Sequence, residues 1–158
     1  MTMNELFFEF SGRIPRRLFI IGFLFLFCLQ VGASYILLQM VGLTLEEYME
    51  KVSRNTLIFD LVANGLFLWP NLAIGVKRLH DFEWSGRLFV LVHIGLMVTY
   101  LIAVLGAFGD LPGESSNYWA IVRVLGLASL VFFIAMLFVR GTSGNNQFGR
   151  DPLLYLPR

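Results

Sequence analysis

The chain has 158 residues, of which 57% are hydrophobic and only 15% charged, with a formal net charge of +1. This composition excludes a disordered chain, which needs low hydrophobicity and high charge. The lone cysteine, Cys28, excludes a disulfide scaffold, and the balanced charge gives no reason to expect nucleic acid. A mean hydropathy of +0.72 means more apolar surface than a soluble domain of this length can hide. A single membrane domain over 1–158 is therefore the expected class.

In chain order, the first feature is a basic segment at 8–17, Phe10-Ser11-Gly12-Arg13-Ile14-Pro15-Arg16-Arg17. Its glycine and proline predict a bent path into the first helix. The first apolar block, Leu18–Val41, is long enough to cross a hydrocarbon core, which takes about 20 helical residues. A signal peptide cleaved near Val31-Gly32-Ala33 is a competing reading, but the apolar run continues well past that point. The loop that follows, Gly42–Thr56, carries Glu46, Glu47 and Glu50 beside Tyr48 and Met49, a pattern suited to a short interfacial helix.

The second block, Leu57–Val76, contains Asp60, Asn64, Asn71 and Gly75. At about 3.6 residues per turn these fall within an arc of about 60°, which predicts a polar stripe facing the bundle interior, loosened by any kink at Pro70. Two readings of the stripe are open: hydrogen bonding that fixes helix order, or a polar path for a proton, ion or small solute.

The segment 77–87 holds Lys77-Arg78-Leu79-His80-Asp81 and Trp84-Ser85-Gly86-Arg87. It reads as a structural loop in which Asp81 pairs with arginines from the other basic segments, or as an anion-binding site. A His80–Asp81 acid/base pair or a metal site is the weaker alternative, because no Cys or Glu stands at ligand spacing. The third block, Leu88–Ala107, contains His93, which like Cys28 reads as a packing residue. A Gly/Pro/Ser turn region at Phe108–Asn117 leads to the fourth block, Trp119–Val139. Arg123 lies about one turn inside that block, at the depth of Asp60 in the second, so an interhelical ion pair is expected.

The C-terminal segment, 140–158, contains Arg140-Gly141-Thr142-Ser143-Gly144-Asn145-Asn146-Gln147-Phe148-Gly149-Arg150-Asp151-Pro152. It lacks the Gly-Lys-Ser/Thr ending of a phosphate loop. A folded cap is expected instead, with glycines in tight turns, Asn and Gln making local hydrogen bonds, and Phe148 as anchor.

Orientation follows from the basic residues. Arg13, Arg16, Arg17, Lys77, Arg78, Arg87, Arg140, Arg150 and Arg158 fall on one side, nine in all, against Lys51 and Arg54 on the other. The positive-inside rule then places both termini and the second loop in the cytoplasm. Trp69 and Trp84 mark the inner face, and Tyr118 and Trp119 the outer one. The expected fold is an all-α integral membrane protein, a four-transmembrane-helix bundle with cytoplasmic termini.

The three basic segments together resemble the bacterial inner-membrane family catalogued as domain of unknown function 805. They supply its Phe-x-Gly-Arg-x-x-Arg (Phe10, Gly12, Arg13, Arg16), its Lys-Arg-Leu-His-Asp (77–81) followed by Ser85-Gly86, and its glycine-rich C-terminal element with Gly141, Gly144, Asn146, Phe148, Gly149 and Pro152. The resemblance implies a small multi-pass protein of the bacterial cytoplasmic membrane and supplies no activity. The outer loops here are longer than in compact members.

The leading functional expectation is a non-enzymatic accessory protein without cofactor, metal or catalytic residues. Arg13, Arg16, Arg17, Arg78, His80, Arg87 and Asn146 would meet anionic lipid or a membrane-protein partner, a second copy included, with Asp81 organising them. The alternative is an oligomeric transporter or channel subunit using Asp60, Asn64 and Asn71. A lipid-acting enzyme built on His80 and Asp81 ranks last, since no nucleophile accompanies them.

Overall fold

A computed structural model describes residues 2–42, 44–50, 54–106 and 117–154. Expectations for 107–116, for the Tyr118 and Trp119 rings, and for Lys51 and Arg158 lie outside the described residues. Among those described, every regular element is helical apart from one isolated bridge between Asn146 and Gly149.

Helix α1, Met3–Phe7, is capped by Thr2: the Glu5 amide donates to Thr2 Oγ1 at 3.2 Å and the Thr2 amide to Glu5 Oε2 at 2.7 Å. Helix α2, Arg16–Val41, starts directly after Pro15 and stops at Gly42, whose left-handed φ of 72° suits glycine. The short helix α3 (Leu45–Glu50) and the long α4 (Arg54–Asp81), α5 (Arg87–Gly106) and α6 (Asn117–Phe138) follow, then a 3-10 turn at Pro152–Leu154. Helix α4 continues through Pro70.

Helix α4 is central. It packs along α2 and α5 and carries α1 across one end; α6 packs along α5, and α2 touches α6 only lightly. The α4–α5 contact is close because Gly75 and Gly86 lack side chains. A Cβ on Gly75 would lie 2.5 Å from the Phe89 ring, and one on Gly86 would lie 2.7 Å from both Val76 methyls. The main core, including Phe7, Ile14, Phe19, Ile74, Leu79 and Phe89, sits at the end carrying the three basic segments, here called the motif end. A smaller cluster of Leu38, Phe59 and Ala63 sits towards the other end.

Three helices are long and apolar enough to cross a membrane: Arg16–Val41, Ile58–Asp81 and Ala120–Phe138, with mean hydropathies of 2.2, 1.3 and 2.5. Their outer faces expose Leu24, Phe27, Val124, Leu127 and Val131. So continuous an apolar surface is suited to lipid and not to water.

Three expectations need correction. Lys77–Asp81 is not a loop but the last stretch of α4, because its charged side chains all find partners around the helix end. Cys28 is exposed on α2 and not packed. Asp60 and Arg123 do not pair: the Asp60 carboxylate accepts from the Tyr48 hydroxyl at 2.5 Å, while Arg123 is exposed on α6. Equal depth says nothing about the direction a residue faces around its helix. A long cationic side chain on a lipid-facing surface can reach the interface by itself.

Candidate functional site

At the motif end, three sequence segments meet on one buried carboxylate. Asp81, the last residue of α4, is 3% exposed, and both its oxygens are used. Arg13 Nη2 donates to Oδ1 at 2.9 Å and Arg13 Nε to the same oxygen at 3.2 Å. Arg78, at (i, i+3) on the same helix, donates to Oδ2 at 2.5 Å. Gly141 abuts the carboxylate so closely that a Cβ there would overlap Asp81 Oδ2.

The cations have further partners, main-chain carbonyls near the ends of α1 and α6 and in the segment that follows α6. Arg13 reaches Gly144 O at 2.7 Å and Thr142 O at 2.6 Å. Arg78 Nε donates to Met136 O at 2.9 Å, in the last turn of α6, and its Nη2 to Val139 O at 2.5 Å, just past the helix end. Lys77 Nζ donates to Leu6 O at 2.6 Å and to Glu5 O, at the end of α1. Helix C-termini carry partial negative charge and unsatisfied carbonyls. That is how three buried cations coexist with one buried carboxylate: α1 and α6 supply the balance.

The C-terminal segment is tied on through Asp81 and His80. Thr142 donates its amide to Asp81 O at 2.8 Å and its hydroxyl at 3.0 Å. Asn146 Nδ2 donates to His80 O at 2.9 Å, and its Oδ1 accepts from the Phe148 amide at 2.9 Å. The Phe148 ring stacks on the His80 imidazole at 3.9 Å between centroids and 5° between planes. His80 Nδ1 lies 3.1 Å from Gly12 O. A carbonyl can only accept, so Nδ1 carries the proton and Nε2 is the acceptor. Trp69 fixes the N-terminal segment, donating to Phe8 O at 3.1 Å with Phe10 set edge-on at 4.9 Å.

Asp151 closes the C-terminal turn. Bonds from the Leu153 and Gly144 amides, at 2.9 and 2.8 Å, hold its carboxyl below the usual carboxylate range. A depressed folded pKa contributes stability above the unfolded value of about 3.9, lost as pH falls through the folded one. On acidification below about pH 4 the Gly144 amide resonance is therefore expected to shift towards its unbonded position. In Asp151→Asn that transition should be missing from the NMR titration.

Beside this buried network around Asp81, here called the knot, lies an open groove of about 810 Å³, walled by Phe10, His80, Ser85, Arg87, Leu91 and Phe148 among others. Each of the three basic segments contributes to it.

The sequence pattern described as "Protein of unknown function (DUF805)" matches residues 7–150. The chain belongs to this family. It is 33% identical over 153 residues to the "Uncharacterized protein YiiR" of Escherichia coli K12, across 96% of this chain and 90% of that one. The protein of the same name in Escherichia coli O157:H7 gives the same figures. No solved structure matches. The DUF805 match takes in every residue of the knot from Arg13 to Asn146, and the groove with it.

In this DUF805 chain the candidate residues divide by position. Arg13, Arg78, Asp81 and Asn146 are consumed within the knot, and the first three are buried. Their polar groups are spent inside the protein, contrary to the expectation that Arg13, Arg78 and Asn146 would each meet lipid or a partner. Arg16, Arg17 and Arg87 are exposed, and His80 is half-buried with one edge on the groove. Lys77, Thr142 and Gly141 are knot residues that were not among the expected contacts; Lys77 and Gly141 stand in the motifs, and the role of Gly141 is to leave room for Asp81.

The intramembrane stripe also divides. Asn64 Nδ2 donates to Asp60 O at 2.8 Å, and Gln30 of α2 donates to Asn64 Oδ1 at 3.2 Å. Asn71 donates to Phe67 O at 2.8 Å. Gln30, Asn64, Asn71 and Gly75 line one interior cavity, whereas Asp60 lies outside it, against Tyr48. Among the described residues no group of three or more His, Cys, Asp or Glu comes together as metal ligands do.

Proposed function

We propose that the protein is a non-enzymatic accessory protein of the bacterial cytoplasmic membrane that holds an anionic lipid headgroup in the groove beside the knot. In this reading α2, α4, α5 and α6 all span, with both termini and the α4–α5 turn in the cytoplasm. The twenty residues of α5 rise about 30 Å, enough for the fourth crossing. The basic residues of the motif end supply the positive-inside bias.

One observation carries the lipid assignment: the groove joins all three motif segments and puts a free cation next to an apolar wall. Arg87 is exposed at the start of α5, and Val90 and Leu91 continue from it. A phosphate on Arg87, with acyl chains running up Val90 and Leu91, matches that order. Arg16 and Arg17 add charge at the same level, at roughly 1 kcal/mol per basic residue near an anionic leaflet.

Arg87→Ala is expected to weaken retention of phosphatidylglycerol about fivefold relative to phosphatidylcholine. Native mass spectrometry from nanodiscs of defined composition measures it. Equal retention of the two lipids by the unaltered chain removes the proposal.

A further inference from the structure

A second cavity, of about 410 Å³, lies among α2, α4, α5 and α6, away from the groove. This is within the size range of small-molecule sites, roughly 300–1,000 Å³. Phe19, Phe23, Phe89, Phe133 and Met136 form its wall at the motif end, and Phe23 packs on Phe133 at 4.7 Å. Beyond those rings lies the knot, so the cavity is blind in that direction. Its polar groups lie further along the bundle: Asn71, His93 and Ser129, then Gln30, Asn64 and Tyr100.

Three of these groups have spare hydrogen-bonding capacity. Ser129 Oγ is buried with no partner. His93 Nδ1 lies 2.8 Å from Phe89 O, so it carries the proton and Nε2 is left as an acceptor. Asn71 uses its amide nitrogen on Phe67 O, and its Oδ1 is a second acceptor. Two acceptors and one hydroxyl call for a ligand that both donates and accepts. Among the described residues no Lys, Arg, Asp or Glu lines the cavity, and an unpaired charge there is costly. The ligand is therefore neutral.

The mouth is lateral. Gly126 lines the cavity yet is exposed, and a Cβ there would meet nothing within 4 Å. Helices α2 and α6 both line the cavity and touch each other only lightly. We propose that this cavity binds the hydroxyl head of a neutral amphiphile drawn from the bilayer, with the apolar tail leaving between α2 and α6. A diglyceride, a quinol and a long-chain alcohol share this chemistry.

The full chain in phosphatidylcholine nanodiscs is titrated with dioleoylglycerol, a long-chain quinol and hexadecanol, each beside its O-methyl ether, and read by native mass spectrometry. At least one hydroxyl compound is expected to bind ten times more tightly than its ether, and the strongest of the three identifies the source. Gly126→Phe should abolish that binding while the thermal midpoint stays close to that of the parent. Ser129→Leu is the second occluding variant should Gly126→Phe misfold. Asn71→Leu should erase the preference for hydroxyl over ether. Arg87→Ala should leave all of this unchanged, which separates the site from the headgroup groove. Equal binding of alcohol and ether, binding indifferent to occlusion, or a cavity that takes up only water overturns the proposal.

Discussion

Asp81→Ala is expected to cost about 3–5 kcal/mol of stability, because it leaves Arg13 and Arg78 buried without a counter-charge. Both guanidinium groups are fixed by carbonyls of the C-terminal segment and of α6. Neither can swing to water without releasing those carbonyls too. The loss should appear as a lower midpoint in detergent-denaturation curves and as early proteolysis of the C-terminal segment. Arg16→Ala, on the exposed side of the same segment, serves as control and should stay within about 0.5 kcal/mol. A midpoint for Asp81→Ala equal to that of the control would show that the carboxylate does not hold the motif end together.

Gly141→Ala is the second large effect, and it acts by volume instead of charge. The added methyl would occupy the space of Asp81 Oδ2, and that carboxylate cannot turn aside while Arg13 and Arg78 hold it. Overpacking of this kind costs about 1–3 kcal/mol. The two substitutions should be strongly non-additive. With Asp81 already replaced by Ala the obstacle is gone, and Gly141→Ala should then add less than about 0.5 kcal/mol. A double-mutant cycle measures this, and simple addition of the two penalties would place Gly141's constraint elsewhere.

The course of the helices was legible in the sequence because apolar runs of spanning length are imposed by the solvent. The ends were less so. Lys77–Asp81 looked like loop because four of its five residues are polar. The Arg78–Asp81 spacing, which closes a bond only on a helix, was the missed signal. Helix α1 was not expected from the sequence, although Thr2 and Glu5 stand at the spacing of the capping box that starts it. Of the site, the gathering of three basic segments could be read from orientation, and Asp81 as its organiser from charge. Which arginines are buried could not, because Arg13 and Arg16 are chemically identical and differ only in what the folded chain puts around them. The Asp60–Arg123 pairing failed for a related reason: sequence gives distance along a helix axis, whereas pairing also needs azimuth.

The knot also has a consequence for biogenesis. Arg13 leaves the ribosome before its partners Thr142 and Gly144, which follow it 129 and 131 residues later, because chains emerge N-terminus first. Until then Arg13 and Arg78 lack the acceptors that complete their shells, and the end of α6 is unsealed. The motif end can therefore close only once Gly144 has been made: the early helices can be laid down while that end is still open and cationic.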